Sequence, residues 1–422
     1  MDKNILKAVI SDNLAEIPGY RVNPRTINFE DAGNYVLVGI RRAGKSYMLY
    51  QRMQQLLANG VRPQEMLYVN FEDERISDMK SDELNLLLET HLEMYGVEKP
   101  VLFLDEVQNI KGWEKFARRL ADTNHRVYIT GSNAKMLSGD IQTTLGGRYI
   151  AVDVYPYDFK EYLTASNTEF SGDALFSTHG RAAILRKFNE YFRFGGLPEC
   201  LMFSSKRDYL NSIYQKIYLG DIAARHSIEN LPALRVLFKK LAESVKQPIS
   251  YSRIANIVSS AGAKISTNTI INYIEYAKDA RLIIPMQNIA GKIVEKETKP
   301  KYYYADNGIL NLFLLDGTTS LFENLVAINL FKKYGRDGSV FFYNKGMEVD
   351  FYLPETATAV QACYNPDNTD GTADREINAL LKISNFLECK ERLIITGDTE
   401  KTFEIGGKKI EAVPLWKWLL KL

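Results

Sequence analysis

The 422-residue chain is 45% hydrophobic, long enough for two or three domains that each bury a core. Its 53 Lys and Arg nearly cancel 52 Asp and Glu, which excludes a global field for nucleic acid or anionic lipid and leaves only local basic surfaces. Cys200, Cys363 and Cys389 are too few and too scattered for a disulfide framework or a paired-cysteine zinc site, and the four scattered histidines add no ligand spacing.

The first residues, MDKNILKAVISDNLAEIPGY, carry charges throughout, and no run of about 18 apolar residues follows, so the expectation is a cytoplasmic protein with no membrane partner. From about 35 to 160, short apolar segments alternate with helical stretches, the pattern of a parallel sheet covered on both faces. They are YVLVG (35–39), MLYVNF (66–71), VLFLD (101–105), RVYIT (126–130) and YIAVDV (149–154). PYDFKEYL and KFNEYFRFGGLPE then read as a helical connector broken at Gly195, Gly196 and Pro198.

Between 230 and 290, three segments carry apolar residues at three- and four-residue spacing: NLPALRVLFKKLAESV, SYSRIANIVSSAG and STNTIINYIEYAKDA. The basic GKIVEKETKPKYYYAD after them predicts a two-stranded wing, so the region reads as a winged helix. The remainder alternates SLFENLVAINLFKKYG, SVFFYN, EVDFYLP, TAVQACY, REINALLKISNFLE and RLIITG, a second small α/β domain with a loop at 365–372. The domain reading is therefore 1–160, 161–229 (lid or connector), 230–305 (winged helix) and 306–422. The final PLWKWLLKL is expected to pack on the last domain.

GIRRAGKS follows an apolar strand and opens a helix, the setting of a phosphate-binding loop. Such a loop wraps phosphates with backbone N–H groups, which side chains at Gly39 and Gly44 would obstruct. The nucleotide contacts are assigned to Gly39, Ile40, Arg41, Arg42, Ala43, Gly44, Lys45, Ser46 and Tyr47; Arg41 and Arg42 also suit solvent or an interface. Lys45 would reach the β- and γ-phosphates, and Ser46 would bind magnesium. VLFLDEVQ delivers Asp105 to the same sheet edge to hold the metal through water, with Glu106 polarising the attacking water. After RVYIT, Ser132 and Asn133 are candidate γ-phosphate sensors, and Arg148 before the fifth strand is a candidate for stabilising transition-state charge, in its own subunit or a neighbour. Glu72 and Asp73 read as helix caps.

These motifs, with LYVNFED, ITGSN, LGGRY, FGGLPE, FENLVA and EVDFYL, resemble the bacterial and archaeal AAA-type ATPases fused to a C-terminal domain of unknown function. The resemblance implies an AAA+-like P-loop NTPase fold with the sensor strand between the loop strand and the Asp-Glu strand. It also implies ATP as the nucleotide, Ser132 or Asn133 as sensor, Arg148 as a finger-like arginine and a winged helix after the lid. It further implies a C-terminal fold like the PD-(D/E)XK restriction endonucleases. There Glu323 and Asp350, with Glu348 nearby, match the family's helix glutamate and strand aspartate, but in Gln361-Ala362-Cys363 a glutamine and a cysteine stand where its acid and lysine belong, so the expectation is an inactive domain.

Three function classes follow. The first is a magnesium-dependent ATPase acting as a switch or motor on a DNA or protein partner, alone or as a homo-oligomer. The second is a DNA-binding module in which Lys264, Lys278, Lys292, Lys296, Lys299 and Lys301 contact phosphate. The third is an ATP-coupled nuclease.

Overall fold

The structure, a computed structural model, describes residues 1–133, 136, 143–335, 339–366 and 372–421; the loop read at 365–372 lies mostly outside them. The chain falls into two compact units, Met1–Tyr155 and Pro156–Leu422.

The first unit opens with helix Lys3–Glu16, capped by the Asp2 carboxylate accepting from the Asn4 N–H, and buries Leu6, Val9, Ile10 and Leu14 along one stripe. Five strands follow: β1 (Tyr35–Val38), β2 (Met66–Asn70), β3 (Val101–Asp105), β4 (Val127–Gly131) and β5 (Ile150–Asp153). They are all parallel, in the order β2-β3-β4-β1-β5. β4 thus lies between β1 and β3, as the family resemblance implies.

Register explains the core. Tyr128 of β4 sits opposite both Phe103 of β3 and Tyr35 of β1. Its ring stacks on theirs at 4.9 and 5.7 Å, and its hydroxyl accepts from Arg52 Nε at 3.0 Å, so the polar tip is satisfied within an aromatic layer. β5, at the edge, is largely exposed rather than covered on both faces.

In the second unit, Asp158 caps helix Phe159–Ala165 in a box with Glu161, and both carboxylates reach Lys332 Nζ at 2.7 Å. The FGGLPE break is fixed by Asp306, whose carboxylate accepts from the Gly196 N–H at 2.8 Å and caps helix Asn307–Asn311. Helices Leu231–Glu243, Tyr251–Ser260 and Thr267–Asp279 carry side-chain caps from Asn230, Ser250 and Ser266.

The hairpin after them, β6 (Ile283–Asn288) and β7 (Lys301–Tyr304), is not a free wing. β6 also pairs in parallel with β8 (Phe341–Asn344). β9 (Glu348–Leu353), β10 (Thr358–Cys363), β11 (Glu391–Thr396), β12 (Lys401–Ile405) and β13 (Lys408–Pro414) complete one sheet in the order β12-β13-β11-β10-β9-β8-β6-β7. The physical reason lies in KYYY: Tyr302, Tyr303 and Tyr304 are all buried, which a strand facing solvent on one side cannot achieve. Lys301 is buried with them and is therefore not the phosphate-contact residue read from the sequence, while Lys292 and Lys299 stay exposed. The C-terminal helix Leu415–Lys421 packs Leu415, Trp416, Trp418 and Leu419 into the interior, as expected.

Candidate functional site

Parallel strands deliver their C-terminal ends to one sheet edge, and Val38, Gly131, Asn70 and Asp105 meet there in register. The loop after β1 needs its glycines for two different reasons. A Cβ at Gly39 would lie 2.0 Å from the Val154 carbonyl oxygen, so the sheet itself forbids a side chain. Gly44 has φ +94° as it opens helix Lys45–Ala58, a conformation that favours glycine. Arg42 adopts φ +64° and is exposed, whereas Ile40 and Ala43 are buried.

Lys45 is buried and folds back over the loop. Its Nζ donates to the carbonyl oxygens of Gly39 at 3.3 Å and Ile40 at 3.5 Å, and it pairs with Glu106 Oε1 at 3.3 Å. Arg41 pairs with Glu72 at 3.0 Å; Glu72 is thus an ion-pair partner rather than a cap, while Asp73 does cap the turn Glu74–Ile76. Tyr47 is exposed and meets Tyr20 and Tyr50 edge-on, with Tyr20 stacked on Tyr50 at 4.0 Å.

Asp105 is fully buried. It accepts from Tyr68 Oη at 2.9 Å and from Thr130 Oγ1, and the Ser46 hydroxyl also draws on its carboxyl. Burial and the neighbouring Glu106 push its carboxyl above the usual range, against the pull of these hydroxyls. Glu106 behaves oppositely: burial would raise it, but Lys45, Gln108 and Arg41 hold it below the usual range. Its backbone is left-handed, φ +52°, and its N–H donates to Thr130 Oγ1 at 3.0 Å. One threonine hydroxyl thus ties both acids to β4.

Ser132 is buried at the end of β4, 3.4 Å from Gln108 Nε2, and Asn133 follows it half-buried. Arg148 is elsewhere. It precedes β5, so it lies at the opposite edge of the sheet from Lys45, about one four-residue strand or roughly 13 Å away along the strands. Its guanidinium is exposed and pairs with Asp122 at 3.1 Å.

Sequence reading missed Arg25, Thr130, Tyr68 and Gln108. Buried Arg25 donates to the carbonyls of Ala43 at 3.0 Å and Tyr155 at 2.9 Å, and its own backbone exchanges two 2.9 Å bonds with Gln51. Gln108, Thr130 and Tyr68 carried a signal, their places in VLFLDEVQ, ITGSN and LYVNFED, whereas Arg25 carried none.

In the second unit, Lys301 Nζ lies among three carboxylates: Glu348 at 3.0 Å, Glu323 at 3.3 Å and Asp350 at 3.6 Å. Burial favours a neutral amine, but Glu323, Asp350 and Glu348 outweigh it and keep the group charged. Burial lifts Glu323 and Asp350 above the usual carboxylate range, with Lys301 opposing it. Gln361 is engaged with backbone, accepting from the Asp350 N–H at 2.8 Å and donating to the Glu348 carbonyl at 3.0 Å. Among the described residues no group of three or more His, Cys, Asp or Glu is arranged to hold a metal ion, and no helix is long and apolar enough to cross a membrane.

Residues 32–163 match the model of an AAA domain, and residues 185–320 that of a domain of unknown function, DUF8612. The chain is 35% identical, over its whole length and 96% of the relative's, to the uncharacterized protein MJ1544 of Methanocaldococcus jannaschii. It is 30% identical to an uncharacterized protein of Haemophilus influenzae, over 92% of this chain and 94% of that one. Among solved structures, the Walker-type ATPase PABY2304 of Pyrococcus abyssi aligns with 74% of this chain and 95% of its own at 15% identity and a TM-score of 0.38, too distant to bear on function. The chain therefore belongs to the family that includes MJ1544, and it carries an AAA domain over residues 32–163.

Proposed function

We propose that the protein binds ATP with magnesium and hydrolyses it at the edge formed by the loop after β1 and the end of β3. The observation that carries this is the buried pair of Lys45, from the helix that the loop opens, and Glu106, beside the fully buried Asp105 at the end of β3. The triphosphate competes with Glu106 for the Lys45 ammonium, and the loop N–H groups after Gly39 and before helix Lys45–Ala58 take the phosphate charge. Ser46 and Asp105 would hold magnesium, an oxygen donor set suited to a hard cation; bound there, the ion would neutralise phosphate charge. Glu106, already held ionised, takes a proton from water at neutral pH. Arg148, at the far sheet edge, fits a role toward a second copy of the chain better than toward its own nucleotide.

The turnover is proposed to drive a switch acting on a partner. A nucleotide-gated DNA-binding reading draws on the three capped helices and the exposed Lys264, Lys292 and Lys299; Lys278, by contrast, is paired with Glu275. Nuclease action is disfavoured, because the Lys301 ammonium already fills the centre of the carboxylate group.

The test is steady-state phosphate release by wild type, Lys45→Ala and Glu106→Gln with magnesium, with and without duplex DNA. Support is turnover by wild type, loss of nucleotide binding in Lys45→Ala, and retained binding with a fall of about 100-fold or more in Glu106→Gln. Stimulation by DNA selects the DNA partner. Absence of ATP binding by wild type ends the proposal.

A further inference from the structure

Gln108 stands in the turn Val107–Asn109 that follows Glu106, and the turn is held at both sides. Val107 is buried, and Asn109 Nδ2 donates to the Phe71 carbonyl at 3.1 Å. From it, Gln108 Nε2 donates to Glu106 Oε2 and lies 3.4 Å from Ser132 Oγ. One amide group thus joins Glu106 to the end of β4. The other end of the amide is the informative one. Gln108 Oε1 is buried and has no hydrogen-bond partner among the described residues. It lies over Gly131, where a Cβ would come within 2.4 Å of it and 1.9 Å of Met136 Sδ, so the glycine leaves the space that the amide and Met136 share.

A buried acceptor without a donor is destabilising and calls for an explanation in function or in a missing donor. A water poised to attack a phosphorus atom has two protons to place, so it needs two acceptors to fix its lone pair toward the target. Glu106 supplies one. Gln108 Oε1, on the same side chain that grips Glu106, supplies the second, as glutamine amides do in other phosphate-hydrolysing proteins.

We propose that Gln108 is a positioning residue for hydrolysis: its N–H group fixes Glu106, and its carbonyl oxygen accepts a proton of the attacking water. In that step the water oxygen bonds to the γ-phosphorus, and the bond from phosphorus to the bridging oxygen breaks with its electron pair staying on ADP. One water proton passes to Glu106, and the other stays on the new phosphate, released from Gln108. The assignment rests on the ATPase reading above.

The experiment compares wild type, Gln108→Leu and Gln108→Asn, each first checked for a native melting transition. Calorimetry measures binding of ADP and of ADP with aluminium fluoride, a mimic of the transferring phosphoryl group, and single-turnover hydrolysis is followed in parallel. In Gln108→Leu, ADP affinity stays within about threefold of wild type, while affinity for the mimic and the hydrolysis rate each fall by about 10- to 100-fold. Gln108→Asn, which keeps the amide but withdraws it by one methylene, shows the same losses to a smaller degree. Wild-type mimic affinity and rate in both variants overturn the assignment to Gln108 alone. Failure of wild type itself to bind ADP or turn over ATP overturns the ATPase reading and this one with it.

Discussion

Lys45 Nζ lies 3.3 Å from Glu106 Oε1, with both groups buried, so the two residues proposed to act on a triphosphate neutralise each other in its absence. Glu106 is held below its usual carboxylate range, so the pair contributes stability above the unfolded value of about 4.3 and loses it as pH falls through the lower folded value. The expected outcome is that Glu106→Gln lowers the melting temperature of the nucleotide-free protein at pH 7 and that the difference shrinks below pH 4. A difference that grows toward acid would reverse the sign.

The two loop glycines should fail differently. Gly39→Ala forces a carbon to 2.0 Å from the Val154 carbonyl oxygen, and β1 and β5 must separate to admit it. Gly44→Ala only places alanine in the left-handed region, at about 1–2 kcal/mol. Denaturant unfolding should rank Gly39→Ala as the more damaging, and equal losses would contradict the steric account.

Arg25 clamps Ala43 and Tyr155 through two carbonyls. Arg25→Lys keeps the charge but cannot span both acceptors, so it should weaken ATP binding by about tenfold while leaving Lys45 and Glu106 in place. Unchanged calorimetric affinity would remove Arg25 from the loop's support.

Lys301→Met leaves Glu323, Glu348 and Asp350 without their ammonium, a loss of about 3–5 kcal/mol when a buried partner is removed. The loss should be larger at pH 8 than at pH 5, because protonation of the carboxyls at lower pH relieves their repulsion. Adding Glu323→Gln should restore part of the stability, as read from paired unfolding curves.

Arg148 sits at the sheet edge away from its own Lys45. A mixture of Arg148→Ala and Glu106→Gln should therefore recover ATP turnover that neither has alone, since Arg148 of one copy then meets an intact Glu106 on the other. No recovery in a mixture shown to associate would leave Arg148 as a partner of Asp122 only.

The sequence by itself determined the five parallel strands, the glycine-bearing loop after β1 and the Asp105–Glu106 edge. Each is local: a continuous apolar run, a glycine spacing and an acid at a strand end need no distant partner to be read. The β12–β13 hairpin, turned at Gly406 and Gly407 with φ +58° and +75°, is not legible in the sequence because lysines and glutamates interrupt the apolar residues of its strands, and pairing of β13 with β11 decides it.

What only the tertiary structure decided is where distant residues meet. Lys301 was read as surface charge on a wing, yet pairing of β6 with β8 draws its neighbour β7 into an eight-stranded sheet and seats it among carboxylates 22 to 49 positions along the chain. Arg25 reaches Ala43 and Tyr155 through a fold no motif records, and Gln108 gains its meaning from Glu106 and Ser132 together. Spacing along the chain reports strands and turns, whereas the pairing of buried charges and orphaned acceptors is fixed by strand order and register, which the chain sets only when it closes.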